Sequence, residues 1–335
     1  MTSKLEELIA KLCPNGVEYK TIGEIATLSR GKVMSKSFIK DNSGEYPVYS
    51  SQTENNGQFG SISTYMYDGK YVTWTTDGAN AGTVFYRDGK FNVTNVCGVI
   101  DISDCQVDTK YVYYALTIHA KNYVSSGMGN AKLMSNVMSK VTIPIPPLDV
   151  QEEIVRILDT FTELTAELTA ELTTRKKQYE YYRDAFFDLD YDDNSSVVSL
   201  NDVIISLNTG LNPRQFFKLN TPDAKNYYIT IREMRDGNII TTENTNLINE
   251  EAMKLCNNRS NLEKNDILFS GTGTIGETVL IKETPLSWNI KEGVYAIKPN
   301  SKVINPKYLR YFLTSSQAKS EYMKKSLVGR LKVFQ

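Results

Sequence analysis

Histidine and cysteine are scarce in this chain, which limits the metal, disulfide and nucleophilic chemistry open to it. Its 335 residues include one histidine, His119, and four cysteines, among which no C-x-x-C pair occurs. One histidine excludes chemistry that requires two, including most zinc hydrolysis. The scattered cysteines argue against a disulfide framework or a zinc site and favour a reducing, cytoplasmic environment.

Long apolar runs and strong net charge are also missing. No apolar run approaches the roughly 20 residues that cross a bilayer, and the charged first twelve residues lack the apolar stretch of a signal peptide. With 41% hydrophobic and 23% charged residues, the composition excludes intrinsic disorder for most of the chain. The length suggests about two domains.

The formal net charge of −1 conceals an uneven distribution. Residues 1–148 carry +1, residues 149–193 carry −8 and residues 194–335 carry +6. An acidic segment therefore separates two neutral-to-basic parts. Phosphates would repel the acidic segment, whereas the basic part could bind nucleic acid, although so modest an excess is also ordinary for a globular domain.

The acidic segment predicts one long helix. Three prolines within residues 143–148 (IPIPPL) favour an extended lead-in. Asp149 and Glu152 then have the spacing of a capping box, and no proline or glycine follows until Gly210. We therefore expect a helix over about residues 149–188, roughly 60 Å long.

Large apolar side chains recur along this helix, and with Thr165 and Arg175 filling two gaps their intervals alternate between four and three. Such spacing is typical of a helix that packs against a partner helix. The predicted partner-helix interface consists of Ile154, Leu158, Phe161, Leu168, Leu172, Tyr179, Tyr182 and Phe186. The segment also repeats Thr-Ala-Glu-Leu in tandem, at 165–168 and 169–172. Each unit adds about 6 Å of helix and rotates its face by about 40°, so the repeat number would set the separation of the two ends.

The parts that flank the helix look like copies of each other. Residues 110–117 (KYVYYALT) align with 307–314 (KYLRYFLT), and 78–84 (GANAGTV) align with 273–279 (GTIGETV). Each copy has short β-like runs, such as 71–75, 83–87 and 266–270, and then a helix, predicted at about 108–122 and 305–325. The second copy stops where the first continues into the proline run, so we expect a chain that is shortened at its C-terminus.

With these features the chain resembles the specificity (S) subunits of type I restriction-modification systems. The resemblance covers essentially the whole chain and rests on residues 5–20 (LEELIAKLCPNGVEYK), 143–159 (IPIPPLDVQEEIVRILD) and 262–276 (LEKNDILFSGTGTIG). The tandem units are similar to the central spacer repeats of some members. The resemblance implies an α+β fold with two repeated α/β target-recognition domains joined by a long coiled-coil-type helix. The predicted domains are a first target-recognition domain with an N-terminal conserved segment (1–148), a spacer helix (149–193) and a C-terminally truncated second target-recognition domain (194–335).

The same resemblance implies a non-catalytic, sequence-specific DNA-binding subunit. Each target-recognition domain would read half of a bipartite site on double-stranded DNA. Two methylation (M) subunits would dock on the helical regions, and restriction (R) subunits would complete the endonuclease. No cofactor is expected on this chain, because AdoMet, ATP and Mg²⁺ would bind to partner subunits. We expect the distal helical region of intact members to be missing, in which case the chain could self-associate through its unpaired helix.

One motif could indicate an enzyme instead. Residues 271–276 (GTGTIG) match G-x-G-x-x-G, and with Phe269 they resemble the AdoMet-binding motif of DNA methyltransferases. The residues that follow are β-like and reach Pro285 before any helix, and no N-P-P-Y or D-P-P-Y sequence occurs. We therefore predict a tight glycine turn that both copies share.

Side chains with two hydrogen-bonding groups are the usual readers of bases, and polar loops rich in them occur in both copies. The predicted DNA-binding residues are Lys32, Lys36, Gln52, Asn55, Asn56 and Asn80 in the first copy, and Arg214, Gln215, Lys218, Arg235, Lys324, Lys325 and Arg330 in the second. The two asparagines at 55 and 56, with Arg214 and Gln215, are predicted to read bases. The lysines near 324 are predicted to contact phosphates. Any single one of these residues could instead be a solvated loop residue.

Three functions remain open on the sequence alone. The first is the DNA-recognition subunit of a methylation and restriction complex. The second is a self-contained methyltransferase whose cofactor motif is the segment at Phe269. The third is a truncated S chain that acts as a dimerising interaction protein without restriction activity.

Overall fold

A computed structural model describes residues 3–125, 130–187 and 198–326 of the chain. The chain divides between Thr169 and Ala170 into two compact units, called the first and second domains below. Within the described ranges, no helix combines the length and the apolar character that crossing a membrane requires.

The first domain is built on one large sheet. Its strands are β1 (Glu18–Thr21), β2 (Ala26–Arg30), β3 (Ser43–Tyr49), β4 (Gln58–Ile62), β5 (Tyr67–Thr75), β6 (Val84–Val93), β7 (Cys97–Ile102) and β8 (Thr142–Ile145). Its helices are α1 (Lys4–Leu12), α2 (Ile22–Ile25), α3 (Lys36–Asp41), α4 (Thr109–His119) and α5 (Ser135–Met138), with 3-10 turns at Glu54–Gly57 and Ala120–Tyr123. The large sheet has the order β2-β7-β5-β6-β3-β4, in which only β3 and β6 pair in parallel. Strands β1 and β8 form a separate antiparallel pair.

Helix α4 packs on the core of the first domain because its apolar side chains share one side. Its N-cap is Asp108, whose carboxylate accepts a hydrogen bond from the Tyr111 amide at 2.7 Å. Tyr111, Val112, Ala115 and Leu116 are buried at helical spacing and join the main core. The predicted β runs 71–75 and 83–87 lie in β5 and at the start of β6, as expected.

Helix α6 (Leu148–Phe187) has 40 residues, so its predicted bounds are confirmed to within one residue at each end. The predicted N-cap is wrong, because Asp149 lies inside the first turn. The amides of Val150 and Gln151 both donate to the Pro147 carbonyl, at 2.9 and 3.1 Å, so the proline lead-in already supplies the acceptor at this helix end.

A buried carboxylate ties α6 to the N-terminal helix of the first domain. Glu153 accepts from Arg156 Nη2 at 2.6 Å and from Lys4 Nζ at 2.7 Å. These two cations, Arg156 first, lower the pKa of Glu153 to about 2.

Threonine hydroxyls along α6 donate to the carbonyl group four residues earlier. Thr162 bonds to Leu158 at 2.8 Å, Thr165 bonds to Phe161 at 2.7 Å, and Thr169 bonds to Thr165 at 2.7 Å. Inside the tandem repeat, the hydroxyl of one unit therefore bonds to the backbone of the matching threonine in the unit before it.

The second domain has a divided sheet. Its strands are β9 (Ile204–Thr209), β10 (Asn226–Ile229), β11 (Met234–Arg235), β12 (Asn238–Ile239), β13 (Leu247–Ile248), β14 (Ile267–Ser270), β15 (Thr278–Leu280), β16 (Trp288–Ile290) and β17 (Val294–Pro299). Its helices are α7 (Leu200–Val203), α8 (Pro213–Phe216), α9 (Glu250–Ser260), α10 (Pro306–Thr314) and α11 (Ser316–Ser326), with a 3-10 turn at Ile231–Glu233. The sheets have the orders β15-β14-β17-β9 and β13-β10-β16, beside the hairpin β11-β12. The predicted β run 266–270 is β14, as expected.

Both domains share one backbone frame, which confirms the predicted repeat. The Thr94 amide donates to the Tyr49 carbonyl at 2.8 Å, and the Lys291 amide donates to the Ile229 carbonyl at 2.8 Å. The parallel pair β3–β6 thus corresponds to the parallel pair β10–β16. In the first domain β6 is continuous, whereas residues 281–287 divide the equivalent strand into β15 and β16.

The frame also corrects the alignment of the glycine turns. The Gly82 amide donates to the Thr75 carbonyl at 2.9 Å, and the Gly276 amide donates to the Ser270 carbonyl at 3.0 Å. Gly82 therefore matches Gly276, whereas the sequence alignment placed it against Glu277. The turn in the second domain is one residue shorter than the turn in the first. The sequence alignment did not place a gap there, so it was wrong by one residue.

The helix expected over 305–325 is in fact two helices, α10 and α11. Ser315 lies between them in an extended conformation, and its hydroxyl accepts a hydrogen bond from the Ala318 amide at 3.2 Å. No glycine or proline marks this break in the sequence. Ser315 ends the first helix and caps the next one.

Candidate nucleic-acid interface

Four segments of the first domain meet at one edge of its sheet, called the first loop edge: residues 30–32, 50–57, 76–82 and 94–96. Backbone bonds join them, including Thr76 amide to Val96 carbonyl at 3.1 Å. The Thr94 hydroxyl bonds to Ser50 at 3.0 Å, and the Asn80 amide group donates to Thr53 at 3.0 Å. Of the six residues predicted in this domain, the edge brings together Lys32, Gln52, Asn55, Asn56 and Asn80.

The segment 50–57 presents two neighbouring asparagines in an unusual conformation. Asn55 and Asn56 have φ of 47° and 53°, and Gly57 has φ of 78°. Asparagine tolerates the left-handed region better than most residues. Both asparagine side chains are exposed. Gln52 is partly buried, and its amide group donates to the Gln58 carbonyl, so it helps to build the loop.

The first loop edge carries basic side chains around the carboxylate of Asp77, and Glu54 is a second, exposed carboxylate on segment 50–57. Arg30 Nη2 lies 3.9 Å from Asp77, and Lys132 Nζ lies 4.0 Å from it. Such long, partly exposed ion pairs contribute about 0–1 kcal/mol, so either cation could exchange Asp77 for a phosphate. Lys32 is exposed beside them.

The second domain has an equivalent second loop edge, formed by residues 210–214, 230–233, 271–276 and 291–293. The Gly271 amide donates to the Gly293 carbonyl at 2.9 Å, which repeats the bond between Thr76 and Val96. The Glu292 amide donates to the Leu211 carbonyl at 3.2 Å. The strands approach so closely that a Cβ at Gly210 would lie 2.0 Å from the Ile290 carbonyl oxygen, and one at Gly31 would lie 1.8 Å from that of Val93.

A cleft of about 300 Å³ opens at the second loop edge. Its lining includes Pro213, Tyr228, Arg232, Asn246 and Lys291. Pro213 begins α8, the short helix that also carries the predicted base readers Arg214 and Gln215, and both of these side chains are exposed. Charged groups, amide groups and an aromatic wall thus meet in one concave surface.

The remaining predicted residues lie apart from the two loop edges or outside the described residues. Lys36 is exposed on α3, and Lys218 is exposed just after α8. Arg235 is also exposed, and its Nε donates to the Arg232 carbonyl at 2.9 Å. Lys324 lies 3.6 Å from Glu321 on α11. The side chain of Lys325 and all of Arg330 lie outside the described residues.

The glycine motif in the second domain is a tight turn, as predicted. The Ser270 hydroxyl donates to the Thr274 carbonyl and accepts from the Glu277 amide at 2.8 Å. A Cβ at Gly276 would lie 2.0 Å from Tyr322 Oη. This glycine therefore makes room for a tyrosine ring, and Thr75 builds the same turn in the first domain.

Most of the predicted partner-helix interface on α6 is exposed. Ile154 and Leu158 are half-buried, and Ile154 packs against the first domain's own core. From Phe161 (62% exposed) to Phe186 (71% exposed), the seam side chains lie open. They are Phe161, Leu168, Leu172, Tyr179, Tyr182 and Phe186.

Sequence reasoning missed two residues that shape the loop edges. Lys132 reaches the first loop edge from a distant segment through its backbone pairing with Asp77. Arg87 lies in the middle of β6 beneath segment 50–57. Neither has a local sequence signal, because both positions are set by long-range pairing.

Two copies of one α/β frame joined by a long helix define the chain as a two-domain repeat protein. Residues 14–175 and 193–333 match the type I restriction modification DNA specificity domain, and the chain belongs to this family of specificity subunits.

Relatives in Mycoplasma pneumoniae agree with this assignment. The type I restriction enzyme MpnII specificity subunit is 37% identical over 202 residues, which are 58% of this chain and 61% of that protein. Type I specificity subunit S.MpnORF507P is 40% identical over 163 residues, 49% of this chain and 45% of that protein. Each match therefore spans less than two thirds of the relative.

Solved structures show the same fold. The S subunit of a type I restriction-modification system from M. genitalium superposes with a TM-score of 0.58 at 17% identity, over 93% of this chain and 80% of that one. A chain from a study of complex assembly and conformational transition in the type I R-M system gives a TM-score of 0.51 at 14% identity, over 93% and 82% of the two chains. The α+β fold with two repeated domains and a joining helix is thus confirmed.

Proposed function

We propose that this chain is a sequence-specific DNA-binding subunit that directs methylation and restriction subunits to a bipartite site. The observation that carries the proposal is the repetition of one polar loop edge on the same frame in both domains. A repeated frame with different loop side chains is suited to reading two different half-sites.

In this proposal each loop edge divides its work between bases and phosphates. Asn55 and Asn56 in the first domain, and Arg214 and Gln215 in the second, have the paired hydrogen-bonding groups that recognise base edges in the major groove. Arg30, Lys32 and Lys132 would contact phosphates and fix the register of the first domain on the duplex. Lys291 and Arg232 would do the same at the second loop edge.

The proposal assigns the chemistry to partner chains. M subunits would carry AdoMet and flip the target base, and R subunits would carry ATP and Mg²⁺. The chain itself would be non-catalytic and would work in the cytoplasm, where its DNA target lies. Helix α6 would provide docking surface for the M subunits and would set the gap between half-sites.

Methylome sequencing tests this proposal directly. Cells that express the chain with its cognate M subunit are compared with cells that lack the chain. We expect a new bipartite motif with a fixed gap. Absence of new methylation, while the purified chain and M subunit form a stable complex, would count against DNA recognition.

A second candidate function, self-association through α6, is favoured by the exposed apolar side chains between Phe161 and Phe186. Contiguous apolar patches on soluble proteins commonly mark interaction sites. Sedimentation at rising concentration tests it. A strict monomer at tens of micromolar would exclude self-association, and Leu168→Glu with Leu172→Glu should abolish any dimer that forms.

A further inference from the structure

Arg87 is a buried cation that supports the first loop edge from below. Its side chain is 97% removed from solvent, since the residue is 3% exposed. Its Nε donates to the Thr73 hydroxyl at 3.1 Å, and its Nη2 donates to the Asn56 carbonyl at 2.9 Å. The guanidinium thus links the sheet to the segment that carries the predicted base readers.

Aromatic rings hold this guanidinium in place where an anion would be expected. Its central carbon lies 3.4 Å from the centroid of the Tyr49 ring and 4.6 Å from that of Phe85. Within the described residues no carboxylate pairs with Arg87, and its Nη1 is buried without a hydrogen-bond partner. Burial accordingly lowers the pKa of Arg87. A buried cation without a carboxylate partner is costly to a fold, and the two hydrogen bonds and two ring contacts of Arg87 offset part of that cost.

The second domain shows that the frame does not require a cation at this position. Thr83 and Glu277 both donate their amide to the hydroxyl of the turn, at 3.1 and 2.8 Å. Thr83 and Glu277 are therefore equivalent positions. Four residues after each of them stand Arg87 and Ile281, which are equivalent in turn. Ile281 is 2% exposed and joins an apolar core. Ile281 directly follows β15, where its amide still donates to the Asp266 carbonyl at 2.9 Å, so the equivalent backbone position carries an aliphatic side chain.

The segment that Arg87 contacts has a backbone that is unfavourable without support. Asn55 and Asn56 are consecutive left-handed residues, a conformation that non-glycine residues adopt at a cost. Arg87 donates a hydrogen bond to the Asn56 carbonyl, which belongs to the peptide bond that joins Asn56 to Gly57. A Cβ at Gly57 would lie 3.1 Å from Arg87 Nη2, so the contact leaves little space for another arrangement.

We propose that Arg87 is a positioning residue that holds Asn55 and Asn56 in the conformation that reads DNA, and so determines the base preference of the first half-site. The inference rests on the proposed DNA-recognition function and deepens it. Arg87 itself is buried and would not touch DNA; it acts through the Asn56 backbone.

Two substitutions and one control test the proposal. Arg87→Met keeps an unbranched, apolar stem and removes the charge, in keeping with the aliphatic residue of the second domain. Arg87→Lys keeps the charge but cannot reach Thr73 and Asn56 together with planar geometry. Lys90→Met is the matched control, because it removes one positive charge from an exposed position on the same strand.

The first measurement is base preference at each half-site for the full chain in complex with its M subunit, using a library randomised at both half-sites. We expect Arg87→Met to lower the preference at one half-site by about tenfold or more and to leave the other unchanged. Arg87→Lys should give an intermediate loss, and Lys90→Met should change neither. Unchanged preference in Arg87→Met at both half-sites would overturn the proposal.

The second measurement is hydrogen exchange of the chain without DNA. We expect amides of residues 54–58 to exchange at least about tenfold faster in Arg87→Met, while strands β5 and β7 stay protected. Loss of protection throughout the first domain would also overturn the proposal, because Arg87 would then be a residue of the fold. If the wild-type chain has no base preference at all, the proposed function fails, whereas exchange still shows whether Arg87 holds the loop.

Discussion

The two domains have equivalent backbone hydrogen bonds in their frames, but the loops at their loop edges differ. In the first, a buried arginine donates a hydrogen bond to the backbone of an exposed asparagine pair. In the second, the short helix α8 stands beside an open cleft, and an isoleucine replaces the arginine in the core. The two loop edges therefore differ in their side chains, although the backbone hydrogen bonds of the frame are equivalent in both domains.

The difference separates what the fold requires from what recognition requires. Frame bonds such as Thr94 to Tyr49 and Lys291 to Ile229 run between backbone groups, so they place few demands on side chains. Glycine is required where strands approach most closely, at Gly31 and Gly210. Side chains elsewhere in the loop edges can vary because these frame contacts are made by backbone groups and glycines.

The largest expected effect is the loss of one domain by a substitution in the shared frame. Gly31→Ala and Gly210→Ala each place a Cβ within about 2 Å of a carbonyl oxygen, and overpacking of this kind costs about 3 kcal/mol. Hydrogen exchange should show Gly31→Ala exposing β5 while β14 stays protected, and Gly210→Ala doing the reverse. Gly89→Asn separates overpacking from backbone strain, because a Cβ there meets nothing within 4 Å but the residue has φ of 95°. It should expose β5 less than Gly31→Ala does. Equal loss in both domains from either change would show that they do not fold independently.

Changing the helix should alter the site while leaving both loop edges intact. A third Thr-Ala-Glu-Leu unit inserted after Leu172 adds about 6 Å of helix. Methylome sequencing should then show the original half-sites at a wider gap and no methylation at the original spacing. A changed half-site with an unchanged gap would contradict a spacer role for α6.

Single base readers should act on one half-site each. Arg214→Ala should cost about 1–3 kcal/mol of discrimination at one half-site, and Asn55→Ala should do so at the other. Lys324→Ala should instead weaken binding to all sequences and lower the salt slope by about one, as expected of a phosphate contact. Binding titrations at several salt concentrations distinguish the two patterns. Uniform loss from Arg214→Ala would leave it at most a phosphate contact.

The smallest expected effect concerns acid stability of the first domain. Because the pKa of Glu153 is lowered to about 2 from an ordinary value near 4.5, its contribution is complete above pH 4.5 and is lost as the pH falls towards 2. Glu153→Gln should reduce this pH dependence. The chain has two tryptophans, so Trp288→Phe leaves the buried Trp74 to report urea unfolding of the first domain at pH 5 and pH 3. The same pH dependence with and without Glu153 would show that other carboxylates dominate.

Local sequence patterns were sufficient to predict the main helices. The positions of the loop-edge residues depend on long-range strand pairing. Heptad spacing and the absence of glycine and proline were sufficient to place α6, and the repeated Lys-Tyr motif placed α4 and α10. The break at Ser315 and the helix start at Leu148 were missed because a serine cap and a proline carbonyl leave only weak signals. The loop edges required knowledge of which strands pair, so Arg87 and Lys132 could not be recognised from their neighbours in the sequence.

The threonine bonds along α6 have a mechanical consequence. The Thr169 hydroxyl bonds to the Thr165 carbonyl, so the second tandem unit is tied to the first through matching threonines. When a unit is added or deleted, each threonine hydroxyl of the series still has a carbonyl group four residues earlier. The residues at the two ends of α6 stay the same. The helix can therefore be lengthened in fixed steps of one unit while its series of threonine hydrogen bonds stays complete.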